Sequence, residues 1–299
     1  MRLTRGHLAT SWLLLCSGSC ATEEVGGPTQ APALRRSSPI LFTSGKDGNF
    51  DIYIKETEGS APRRVTAHAA VDQSADWSPD GFTIAFMSNR DGDFEVFAMI
   101  VNGRGLTQLT DNNSADGFPR WSPDGSRILF TSYRDGNFEL YVMRADGTDQ
   151  TRLTFNPGDD LGGGWSPDGS KIAFASGRDG DREIYVMQAD GSDVVRLTHN
   201  TAFEGNRVEW SPDGSRIAFH ADAGGNADIY VIDADGTNER QLTDDPAADR
   251  YPLWSPDGQR IGFTSDRDGD DEIYVMDADG RGLARLTSSV GLDVLDAWR

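Results

Sequence analysis

Cysteine is almost missing: 299 residues contain two, Cys16 and Cys20, both close to the N-terminus. Everything after residue 20 is therefore without disulfides or a thiolate metal site. Histidine is nearly as scarce. His68, His199 and His220 are the three beyond residue 7, and no pair has the spacing that presents two imidazoles on one helix face, which argues against a zinc hydrolase. No later stretch approaches the ~20 apolar residues of a membrane span. Positive charge is short as well: 28 basic against 48 acidic residues give a formal charge of -20. Such a surface repels phosphate backbones and anionic lipid, so nucleic acid is not an expected partner. No segment sustains a helical period, and the GlyXxxSerXxxGly turn of a hydrolase nucleophile is absent.

What the N-terminus does have is Arg2 and Arg5, an apolar run through Trp12, Leu13, Leu14 and Leu15, then Ser17, Gly18 and Ser19. This order reads as an export signal over residues 1–21. Two processing routes stay open, cleavage after Ala21 or lipid attachment at Cys20. Residues 22–37, with Gly26, Gly27, Pro28 and Pro32, read as a flexible linker.

From residue 38 onward the chain repeats itself. Trp77, Trp121, Trp165, Trp210, Trp254 and Trp298 are spaced by 44, 44, 45, 44 and 44 residues, and five of them begin the string WSPDG. Each complete unit continues through an apolar stretch such as Ile128 to Ser132, a turn at Arg134, Asp135 and Gly136, a second stretch from Glu139 to Met143, and a turn at Asp146 and Gly147. Runs of four or five β-formers between AspGly turns are strands joined by hairpins. Four strands per 44 residues is the period of a propeller blade. The first unit lacks a WSPDG strand, and residues to Trp298 supply one more. Pairing that strand with Ile40 to Ser44 would complete a sixth blade and leave no open sheet edge. The expected fold is all-β, a closed six-bladed β-propeller over residues 38–299.

WSPDG, the IxFxS strand, RDG, EIYVM, ADG and RLT together resemble the TolB-type β-propeller repeat family over roughly residues 38–299. The resemblance implies a periplasmic or outer-membrane-associated (or extracellular) protein of the bacterial envelope, binding a protein or a small ligand. The same repeat is similar to propellers attached to serine peptidases, whose nucleophile lies in a separate domain.

Among candidate sites, the position five residues before each Trp carries Asp72, Asp116, Asp160, Asp249 and Asp293, with Gly205 in the odd unit and Glu204 beside it. The turn after the second strand carries Lys46, Arg90, Arg134, Arg178 and Arg267, with Ala223 in the odd unit. In an up-and-down blade these two places share one propeller face. Acid and base are therefore expected either to pair as an ionic rim or to leave converging carboxylates able to attract a cation or basic peptide. The Trp210 unit, with its inserted residue, Glu204, Arg207 and His220, is the expected place of an asymmetric ligand site. The leading expectation is a binding scaffold without a catalytic motif or cofactor. A propeller lyase or hydrolase is the alternative; it would use a divalent cation or carboxylates at the channel, with His199 or His220 turned inward beside Glu204.

Overall fold

Short runs of Ile, Val, Phe and Tyr cannot satisfy their own backbone groups and bury themselves only by pairing with neighbours. The computed structural model describes residues 38–56, 60–199, 203–223 and 225–299, and of Phe203 and Glu204 the backbone alone. The expected export segment with Cys20 and the linker over 22–37 lie outside the described residues. Among the described residues, twenty-four strands form six four-stranded antiparallel sheets and there is no helix. Blade 3 is typical, with strands Asp116–Trp121, Arg127–Ser132, Glu139–Arg144 and Thr151–Arg152. Blades 2 to 6 each take their strands in sequence order.

Blade 1 is assembled from distant parts of the chain. Asp293–Trp298 pairs antiparallel with Ile40–Ser44, in a register running from Ile40 opposite Trp298 to Ser44 opposite Asp293. The closing strand also packs against blades 6 and 2, so the ring has no open edge between its blades. Six apolar clusters fill the gaps between blades rather than one central core. Each contains one phenylalanine of the second strand (Phe42, Phe86, Phe130, Phe174, Phe219 and Phe263), all fully buried. A buried side chain of this size contributes roughly 1.5–3 kcal/mol, repeated at every interface.

The innermost strands are bulged. In blade 2, Gln73 and Asp76 face Met87 and Ala85, so two residues stand opposite one, with Ser74 at φ 57°. Phe118, Gly162 and Tyr251 repeat this left-handed position in blades 3, 4 and 6. At Gly162 an added Cβ would stand 1.5 Å from the Asn206 carbonyl oxygen, so glycine is required by the close approach of blade 5. The extra residue of the Trp210 unit is absorbed in this bulge and not in a loop. Glu204 pairs with Ala221 and Val208 with Phe219, leaving Gly205, Asn206 and Arg207 opposite His220 alone.

Candidate functional site

The acid and base of each regular unit meet on one face. Asp72 pairs with Arg90 at 2.8 Å, Asp116 with Arg134 at 2.6 Å, Asp160 with Arg178 at 3.1 Å and Asp249 with Arg267 at 2.9 Å. A third member was not foreseen. Ser88, Ser132, Ser176 and Ser265 accept the Nε–H of the same arginines at 2.7–3.0 Å and fix each guanidinium over its acid. All four carboxylates are fully buried and the arginines cover them, so this ring is a set of loop-ordering pairs and presents no open carboxylates to solvent. The pairing fails in blade 1. Asp293 accepts the Ser289 hydroxyl at 2.7 Å, while the Lys46 ammonium lies 4.1 Å from the Tyr53 ring centroid. A point charge on a flexible stem can settle on an aromatic face where a fork-shaped guanidinium would reach for the acid. In blade 5 Ala221 and Ala223 replace serine and arginine together. By register Glu204 takes the place of the acid, but its side chain lies outside the described residues.

His220 is buried where four of the other five units have Thr43, Thr131, Thr264 and Ala175, and Met87 stands in the remaining one. The threonine hydroxyls accept the N–H of a bulge residue in the next blade, as Thr264 does from Leu295 at 3.1 Å. His220 does the same with Nδ1, accepting from Tyr251 N–H at 3.4 Å. Its ring fits because residue 205 is glycine: a Cβ there would come within 2.0 Å of it. Burial, helped by Arg250, Arg182 and Arg207, pushes the imidazole down to about 3. The described charges nearest His220 are thus positive, and the ring serves as a neutral acceptor in the wall, not as an acid–base group at an opening. His199 is exposed. The folded state refuses a proton that the unfolded chain takes near pH 6.5, so His220 stabilises above that pH and this contribution is lost as pH falls toward 3. Between pH 7 and 5 the wild type should lose about 2 kcal/mol more unfolding free energy than His220→Thr, measured by urea denaturation. Equal losses would contradict a neutral buried imidazole.

A different group of charges gathers at the other end of the innermost strands. On the face of the Trp-Ser-Pro turns the channel opens into a cavity of about 250 Å³, walled by Trp77, Trp121, Trp165, Trp254 and Trp298. Asp76, Arg120, Glu209 and Asp296 line it. These residues sit one or two places before a Trp, where the other units have Gly164, Leu253, Ala297 and similar neutral residues. That exception to the repeat was their signal in the sequence. Asp76 accepts Trp121 N–H at 2.7 Å, and Asp296 accepts the Thr43 hydroxyl at 2.7 Å. Burial raises all three acids against the pull of Arg120 and Arg207, taking Glu209 and Asp296 to about 6. Their protonation favours the fold, so this stabilisation is present at pH 4 and fades as pH rises through 6, opposite in sign to His220.

Arg207, one of the residues singled out in the sequence, lies behind this cavity as a strut. From the enlarged bulge of blade 5 its guanidinium passes blade 6 and donates to the carbonyl oxygens of Leu295 and Asp296 on the closing strand of blade 1. Burial, and then Arg120, lowers its affinity for its proton to about 10, so it remains charged at neutral pH.

Among the described residues, no group of three or more His, Cys, Asp or Glu is arranged to hold a metal ion. Asp266 accepts the Ala248 N–H at 2.8 Å, and Asp268 takes the Tyr274 hydroxyl and pairs with Arg285 at 2.9 Å. No described helix is long and apolar enough to cross a membrane.

The family model described as TolB beta propeller domain matches residues 16–117, 106–208 and 199–298. TolB from Acinetobacter baumannii is similar at 27% identity and a TM-score of 0.79, over 88% of this chain and 66% of its own. The chain thus spans just under two thirds of that protein. A putative TolB from Agrobacterium tumefaciens is similar at 23% identity and a TM-score of 0.69, over 87% of this chain and 90% of its own. An oligogalacturonate lyase in complex with manganese is 17% identical, with a TM-score of 0.58 over 86% and 74% of the two chains, and shares the fold alone. No curated protein matches significantly.

Proposed function

The chain belongs to the TolB beta propeller domain family, and from that premise we propose that it is a recognition scaffold of the bacterial envelope, binding a protein or small ligand at the Trp-lined mouth of its channel. One observation carries this reading: charged groups of both signs line that mouth with few partners among themselves, while the acids on the opposite face are buried under arginines. A desolvated, incompletely paired charge is costly unless something completes its bonding, and a rigid β-scaffold holds such groups in place without reorganisation. Export through residues 1–21, with or without a lipid on Cys20, would deliver the propeller to the envelope.

Affinity capture from envelope extract with the tagged full chain tests the reading. Partners retained by the wild type should be lost on Asp76→Asn combined with Glu209→Gln, and kept on Asp270→Asn, an exposed change on the opposite face. Equal retention by all three proteins would remove the mouth as the recognition site.

A further inference from the structure

The chemistry of the cavity narrows what it can hold. Arg120 is 9% exposed, and of its donors one makes a 3.4 Å contact, to the carbonyl of its own neighbour Pro119. No carboxylate lies within ion-pair distance of it among the described residues. Five N–H donors in a fixed fork are built for a planar carboxylate, so a guanidinium left this bare calls for an anionic group from outside. The Glu209 carboxylate, also on the wall, has no hydrogen bond or ion pair among the described residues. Asp76 accepts Trp121 N–H with Trp77 N–H beside it, and Asp296 accepts the Thr43 hydroxyl with Ala75 N–H beside it. With Arg207 behind them and Arg299 also on the wall, three acids stand beside three arginines, and the carboxylate of Glu209 is the one left without a hydrogen bond.

A simple anion would leave Glu209 unmatched, and a simple amine would leave Arg120 bare. We propose that the cavity binds a small zwitterion with one additional positive charge, a basic α-amino acid, whose carboxylate meets Arg120 and whose cationic groups meet Glu209 and Asp76. The indole walls of Trp121 and Trp165 would cover its aliphatic stem. A cavity of about 250 Å³ lies near the lower end of small-ligand pockets, about 300–1,000 Å³, and suits one small molecule. The carboxyl-terminal Lys or Arg of a peptide offers the carboxylate and the side-chain cation but lacks the α-ammonium. This inference rests on the mouth being the recognition site.

Isothermal titration of the full chain at pH 7.5 and low salt tests it with four probes: L-lysine, N-acetyl-L-lysine, cadaverine and L-norleucine. L-lysine should bind at least tenfold tighter than cadaverine, which lacks the carboxylate, and than norleucine, which lacks the side-chain cation. N-acetyl-L-lysine, its α-nitrogen an uncharged amide, should bind at least tenfold weaker than lysine, and equal binding would overturn the need for a second cation. Arg120→Gln should erase the preference for lysine over cadaverine, Arg120→Lys should restore part of it, and Glu209→Gln should weaken lysine at least tenfold. Thermal melts confirm that each variant is folded. No heat from any probe, or equal binding of lysine and cadaverine by the wild type, overturns the inference. If envelope partners are still captured through the mouth, that failure leaves the recognition reading intact; if capture ignores the mouth variants, the recognition reading fails first.

Discussion

Removing residues 293–299 should abolish a cooperative fold or lower the melting temperature by more than about 15 °C. The deletion takes away the innermost strand of blade 1, with Leu295 and Ala297 buried, and leaves Ile40–Ser44 as a naked edge facing the channel. It also strips Arg207 of both carbonyl acceptors and Thr43 of its Asp296 partner, leaving a buried cation unsatisfied. Apolar burial, ladder bonds and the orphaned guanidinium together amount to on the order of 5–10 kcal/mol, comparable with the whole stability of a domain. A control separates closure from mere deletion. Arg299 N–H donates to the Pro39 carbonyl at 3.0 Å, so the two strands end side by side. Moving residues 293–299 ahead of residue 39, joined by a two-residue turn, should restore the melting temperature to within a few degrees. Differential scanning calorimetry of the three proteins decides the matter, and a truncation that melts like the wild type would refute ring closure as a source of stability.

Gly205→Ala should cost about 2–3 kcal/mol, a large effect for one methyl group, and most of it should vanish in the presence of His220→Thr. Gly205 has no left-handed backbone requirement, so the loss would be steric: the new Cβ falls 2.0 Å from an imidazole that is 8% exposed and held by Tyr251. Overpacking of this kind forces a side chain off its rotamer or shifts the backbone. Threonine at 220, as in three of the other blades, withdraws the ring and still offers an oxygen to Tyr251 N–H. Urea unfolding of the two single variants and the double variant closes the cycle. Additive effects, with no rescue by threonine, would show that residues 205 and 220 do not share one space.

The sequence revealed what its repeats sample six times. Tryptophans at a fixed spacing fix the number of blades, and the acid five places before each of them recurs often enough for its basic partner to be sought on the same face. Even the joint loss of arginine and regular acid in the Trp210 unit was visible, although Ser88 and its equivalents, replaced there by Ala221, were overlooked as ordinary strand residues. The channel was not legible in the same way. Asp76, Arg120 and Asp296 occupy places where the units disagree, so a search for recurrence passes over them, while Glu209 stands out beside Arg207 only as part of the odd Trp210 unit. Arg207 was noticed as unusual, but its reach across to blade 1 depends on a bulge of three residues opposite one, which spacing alone does not locate. Lys46 shows a further limit: basic residues align by sign, yet an ammonium and a guanidinium choose different partners.

The closing strand also sets a clock for folding. Thr43 waits for Asp296, 253 residues later in the chain. As the chain emerges N-terminus first, blades 2 to 6 can pair locally one after another before that partner arrives. Blade 1 meanwhile holds three strands with an apolar edge, Ile40, Leu41 and Phe42, that no neighbour yet covers. The last event is a loop closure across nearly the whole domain, slow by topology and exposed to capture by any other strand of matching pattern, including a WSPDG strand of a second copy. Most of the ring's vulnerability to misassembly is therefore concentrated in one late step.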